Sequence, residues 1–185
     1  MKTPRIIDEI TGLYRIIELT RFRETLGVRF DIVPLSIFPH IDALDRVIHT
    51  HGAISPGKVD QVDRPWYMHP HQADNLIVLH GARYVEIWTP SHGEIERFTV
   101  TPFRIEHNGD VVYDGPALLV WPCGVFHRIK SHETEGSASL NVAVHTDGFD
   151  IKTNFNVYDV DLKHGTSRVI REGFKDQFGE VGKQA

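Results

Sequence analysis

Arg64-Pro-Trp-Tyr-Met-His-Pro-His-Gln-Ala-Asp-Asn-Leu-Ile-Val-Leu-His-Gly81 sets two histidines one residue apart, His69 and His71, ahead of a carboxylate, Asp74. An apolar run from Leu76 to Leu79 and a glycine close the stretch. In an extended strand, side chains i and i+2 point to one face. A strand here therefore projects His69 and His71 together, with Tyr67 in line behind them. Two imidazoles and a carboxylate on one face are a usual donor set for an open first-row metal site. A strand that carries two surface histidines has the same spacing. Pro70 works against a regular strand, because proline removes a ladder donor and belongs at an edge or a bulge. A bulge there would rotate one histidine off the face.

Outward from this stretch, short strands separated by turns dominate. Ile16, Glu18 and Thr20 alternate against Arg15, Ile17 and Leu19, and Val28, Phe30 and Ile32 alternate again, which reads as two strands around Gly27. Arg46 to His51 is another strand. Downstream, Ala82–Trp88 and Glu94–Val100 flank a Pro90-Ser-His-Gly93 turn. Asn108-Gly109 is the strongest hairpin signal of the chain. Ala117–Trp121 is apolar throughout, as in a strand buried on both faces. Gly136–His145 and Asn154–Leu162 complete the set. Two helical pieces are expected: residues 4–12, with Thr3 as N-cap and Pro4 at the first position, and one turn over Ile41–Leu44. Ile6, Ile7 and Ile10 would form the apolar stripe of the first. Residues 173–185 read as a loose, polar tail. About ten short strands without a βαβ rhythm, an internal repeat or a linker predict one all-β domain over residues 1–185, a sandwich or barrel with its core at about 14–165.

Pro122-Cys-Gly124-Val-Phe-His127 is a second notable segment. Together with His69-Pro-His71, Asp74 and Gly81 it resembles the cupin superfamily. The first cupin signature runs from a glycine through a His-x-His pair to a glutamate and, after six intervening residues, a second glycine. The second places Pro-x-Gly two residues ahead of a histidine. Here Asp74 stands at the glutamate, Asp63 at the first glycine and Ser131 at the final asparagine, and the gap from His71 to the carboxylate is one residue short. The resemblance covers roughly residues 63–131. It implies a jelly-roll barrel with a short N-terminal helix before it, and a divalent transition metal (Fe, Mn, Ni or Zn) held by His69, His71 and His127, with Asp74 as fourth ligand. It also implies an enzyme for a small molecule, with oxygenation or metal-assisted isomerisation as its chemistry, and a homodimer formed through barrel faces.

Two other readings stay open. The length and the hairpin-rich layout after Gly81 also look similar to the metal-free deoxysugar-nucleotide epimerases of the superfamily. Those use a histidine base and a tyrosine acid, for which His69 and Tyr113 are loosely placed, and their Arg-Gly-Leu-His signature is absent. A barrel that only binds a small molecule is the third reading, since fold does not choose function.

Three further side chains are candidate catalytic or substrate-contacting groups. His49 and His51 form a second His-x-His pair, which spacing alone cannot rank below the first, and either would serve as a general base in the same pocket. Tyr67 shares parity with His69 as a pocket wall or proton donor. His80 shares parity with Asp74.

Composition limits the partners. An apolar fraction of 41% and a charged fraction of 24% over 185 residues are those of an ordinary globular domain. A net charge of −5 with scattered basic residues argues against a nucleic-acid or anionic-membrane surface. No apolar run reaches the roughly 20 residues needed to span a bilayer, and the first ten residues carry acids where a signal peptide has its apolar core. A cytoplasmic location is expected. Cys123 is the sole cysteine, so an internal disulfide is excluded.

Overall fold

The computed structural model describes residues 5–178. Its strands are β1 (Ile6–Ile10), β2 (Tyr14–Glu18), β3 (Thr20–Thr25), β4 (Val28–Ile32), β5 (Ala43–His49), β6 (Ile54–Ser55), β7 (Trp66–Met68), β8 (Gln72–Gly81) and β9 (Arg83–Trp88). They continue as β10 (Glu96–Val100), β11 (Ile105–His107), β12 (Asp110–Tyr113), β13 (Ala117–Trp121), β14 (Phe126–Ser131) and β15 (Ser137–His145). A single helical turn, α1 (Ile151–Asn154), precedes β16 (Val157–Asp161) and β17 (Thr166–Arg171). One sheet has the order β1-β2-β13-β8-β15-β5. The other has the order β12-β11-β10-β9-β14-β7-β16-β17, with β6 on β14. Every pairing is antiparallel. The two sheets face each other as a jelly-roll, as expected for a cupin-type barrel.

Alternation along the strands builds the core between the sheets. Ile16, Leu76, Val78 and Leu119 from the first sheet meet Val85, Ile87, Phe98 and Ile129 from the second. The opposite face of β2, β8 and β13 is also covered: Ile17, Ile77, Leu118 and Val120 pack beneath Phe38, Val33 and Ile37. This second layer is why Ala117–Trp121 is buried at every position and carries no polar residue. β3 and β4 form a separate two-stranded hairpin. The Asn108-Gly109 turn joins β11 to β12 with φ of 50° and 94°, the paired left-handed conformation that asparagine and glycine tolerate.

Three expectations are corrected. Residues 6–10 are a strand, not a helix; Thr3 and Pro4, the expected cap, lie outside the described residues. The helix-like spacing of the isoleucines has another source. A register shift between Ile6 and Asp8 breaks strand parity, so that Ile7 and Ile10 both pack on the core. Pairing of β1 with β2 through Ile10 and Tyr14 outweighs the local helix signal. Ile41–Leu44 is not a helical turn either; β5 starts at Ala43, and the turn falls earlier, as a 3₁₀ turn over Leu35–Ile37. The start of the presumed loose tail is pinned: Gly173 N donates to Asn156 Oδ1 at 2.8 Å and Arg171 Nε to Asp176 at 2.8 Å. The tail beyond Phe178 lies outside the described residues. Among those residues no helix is long and apolar enough to cross a membrane.

Candidate functional site

β7 ends at Met68 and β8 begins at Gln72, so the three residues His69-Pro70-His71 are a break between strands, as the proline demands. The pair therefore does not share a face. His69 turns into the barrel and is 5% exposed. His71 is half-buried on the other side of the break, where its Nδ1 lies 3.4 Å from Thr146 Oγ1 and its ring rests on Gly148. The turn of the second signature locks this break in place. Gly124, at φ 80°, donates its N–H to the His69 carbonyl at 2.9 Å. From that turn β14 starts, and its second residue, His127, points inward and is 4% exposed.

Asp74 is the inward residue of β8 facing these two rings, and is 3% exposed. Its Oδ2 lies 3.4 Å from His69 Nε2 and 3.9 Å from His127 Nε2. The three potential ligand atoms all lie within 4.8 Å of one another. Its other oxygen, Oδ1, accepts from Gln72 Nε2 and from Asn141 Nδ2, each at 2.7 Å. Burial pushes the Asp74 carboxyl up, but the two imidazoles and the two amide donors outweigh it and hold it below its ordinary value.

The far nitrogens of both rings face backbone carbonyls: His69 Nδ1 donates to the Asn154 carbonyl, and His127 Nδ1 to the Val125 carbonyl at 3.3 Å. A carbonyl only accepts, so in each neutral ring the proton sits on Nδ1 and Nε2 carries a lone pair. Burial, then the neighbouring His69, draws the His127 pKa down to about 4, so that ring is neutral near pH 7. The Nε2 atoms of both rings and the Asp74 carboxylate oxygen thus converge on one point.

The three residues line a cavity of about 340 Å³. Tyr67 and His49 line it too, whereas His51 is exposed and, like His71, does not. The Tyr67 ring lies 6.3 Å from that of His69 and 6.0 Å from that of His127, and burial raises its phenol above the ordinary value, despite a hydrogen bond with Ser55. His49 Nδ1 lies 2.8 Å from Ser131 Oγ, and its pKa is drawn down to about 4 by burial and by Arg83. His80 is solvent-exposed at the far end of β8, and Tyr113 bonds outside the cavity, to Glu18 at 2.6 Å.

Polar cavity or supporting residues that escaped the sequence reading include Asp45, Ser55, Gln72, Arg83, Asn141 and Asn154. Arg83 left a trace, because it shares strand parity with Val85 and Ile87 on a face that is otherwise apolar. Asn141 and Asn154 left none: both reach Asp74 or Gln72 from more than 60 residues away.

No family model and no curated protein matches the chain. Solved structures do. A dTDP-4-dehydrorhamnose 3,5-epimerase from Sulfolobus tokodaii superposes with a TM-score of 0.52 at 12% identity, over 79% of this chain and 77% of that one. At that identity what is shared is the fold, and the chain has the cupin jelly-roll architecture of that epimerase.

Proposed function

We propose that the chain is a small-molecule isomerase or epimerase whose reactive centre is His69, Asp74 and His127, built to hold a divalent transition metal. One observation carries this reading: both Nδ1 atoms are committed to backbone carbonyls, so that both Nε2 atoms and Asp74 Oδ2 face one another. Imidazole nitrogens and a carboxylate oxygen converging in this way are a donor set for a cation. First-row ions sit about 2.0–2.2 Å from nitrogen and oxygen ligands, and 3.4 Å and 3.9 Å are separations that fit such an ion. A His–Asp dyad for proton relay is wired differently, with the carboxylate on the nitrogen remote from the substrate. The bonds from Asn154, Val125, Gln72 and Asn141 are the outer-shell support that metal ligands commonly have.

A bound ion would supply Lewis acidity toward a substrate carbonyl or enediol oxygen. The chain's own groups do the rest. Tyr67, kept protonated, donates a hydrogen bond or a proton into the cavity. His49, neutral and lining the same cavity, accepts a proton from carbon or oxygen. Trp121, Leu76 and Phe155 add apolar surface to the cavity lining.

The likeness in fold to a 3,5-epimerase supports isomerisation over oxygenation without transferring a residue role. A metal-free version of the same proton chemistry is the second reading, favoured by that neighbour and by the closeness of Tyr67 to both imidazoles. Elemental analysis of the purified protein separates the two. About one transition metal per chain, lost in His69→Ala and His127→Ala, is expected; a metal-free native protein leaves the second reading. Solvent deuterium incorporation next to the carbonyl of ketose and hydroxy-ketone candidates, without oxygen uptake, tests the reaction class. Oxygen consumption with any of them would overturn it.

A further inference from the structure

Arg83 opens β9 and points between the sheets, where it is 3% exposed. Its Nε donates to Ser137 Oγ at 3.1 Å, while its enclosed Nη2 has no hydrogen-bond partner among the described residues. Among the described residues no carboxylate lies within ion-pair distance of it: burial alone acts on its pKa, drawing it to about 10, which leaves it charged at neutral pH. The contrast with the outer face of the same sheet is clear. There Arg64, Arg97 and Arg128 all gather on Glu86, at 3.7, 3.1 and 2.6 Å. Withdrawing a lone charge from water is costly, so an uncompensated buried guanidinium calls for a partner from outside the chain.

The cavity supplies the place. Arg83 lines the same 340 Å³ space as His69, Asp74 and His127. Its cross-strand neighbour on β14 is Ser131, four residues from His127, so the two ends are separated by about 13 Å of strand at roughly 3.3 Å per residue. The hydroxyls of Ser137 and Ser131 lie 2.9 Å apart, and His49 closes the row at 2.8 Å from Ser131. This row holds the guanidinium by Nε and leaves its Nη edge free. Between the ends the walls include Leu76 and Ile129.

We propose that Arg83 is an anion anchor, and that the substrate of this cavity is a small organic acid whose carboxylate pairs with the free guanidinium edge while its other end reaches the His69–Asp74–His127 centre. The second half rests on the reading of that centre as the reactive end. A carboxylate fits better than a phosphate for a reason of charge. Asp45 and Asp74 also line the cavity, and one guanidinium balances a monoanion but not a dianion set beside two acids. A planar carboxylate also matches the guanidinium fork.

Isothermal titration at matched ionic strength tests this, with 3-hydroxybenzoate, 6-hydroxyhexanoate, the primary amide of each, and inorganic phosphate as probes. At least one acid should bind the wild type tenfold or more tighter than its amide, and tighter than phosphate. Arg83→Met should erase that preference while the melting temperature of the free protein stays level or rises, because the variant sheds an uncompensated charge. Acids no tighter than amides, a preference that survives R83M, or phosphate as the tightest probe would each overturn the proposal. The acid–amide comparison on the wild type needs no variant, so it decides the matter even where R83M does not fold. Metal content and isotope exchange are not read in this experiment, so the anchor and the reactive centre stand or fall separately.

Discussion

Asn141 donates from Nδ2 to Asp74 Oδ1 at 2.7 Å, a bond that ties β15 to β8 beneath the two imidazoles. Gln72 holds the same oxygen from the other side and is itself held by Asn154 Nδ2 at 3.0 Å. The orientation of the one carboxylate at the centre is thus set by three amide side chains. Removing an outer-shell partner typically lowers metal affinity by about 10- to 100-fold. Asn141→Ala should do so by competition against a chelator, with the fold intact by circular dichroism. Unchanged affinity would mean that Asp74 is not a ligand.

The centre separates the two signature histidines. His127→Ala and His69→Ala should abolish stoichiometric metal, whereas His71→Ala should retain it and alter stability by no more than about 0.5 kcal/mol, as for surface substitutions. Elemental analysis and thermal melts on the three variants check this. Metal loss in H71A matching that in H69A would contradict the inward and outward split.

Acid should destabilise the metal-free protein before its carboxylates titrate. The folded-state values of His49 and His127 are about 4, against about 6.5 in an unfolded chain. Between those values the unfolded chain binds protons that the folded one does not. Stability is therefore full above about pH 6.5 and falls as the pH drops toward 4. His127 contributes at most about 1.4 kcal/mol per pH unit there, and His49, partly open to solvent, contributes less. Urea melts of chelated protein from pH 7.5 to pH 4.5 read the slope directly. A flat profile would show that neither ring is desolvated as described.

Gly81 is a backbone requirement. It sits at φ 66° where β8 turns into β9, and a Cβ there would overlap the Gly136 carbonyl oxygen. Gly81→Ala should cost more than the ~1 kcal/mol typical of a glycine replacement without a clash. A denaturant midpoint equal to that of the wild type would show that the close approach of these two turns is not needed.

Much of this protein was legible in its sequence because the information was local. Period-2 alternation, the Asn108-Gly109 turn and the apolar run over Ala117–Trp121 sufficed for an all-β barrel, and the resemblance to the cupin signatures pointed to Asp74 and His127, which the structure brings together. His69 was legible too, but its pairing with His71 was not: Pro70 breaks the strand between them, and which ring turns inward depends on the Gly124 N–H that holds the His69 carbonyl. The isoleucines at 6, 7 and 10 misled for a related reason, since a bulge in a strand reproduces the spacing of a helix. What only the tertiary structure decided is the surroundings of the carboxylate and the cavity. Asn141, Asn154 and Arg83 owe their roles to contacts between strands distant in sequence, and the cost of a buried polar group depends on who its neighbours are, not on its place in the chain.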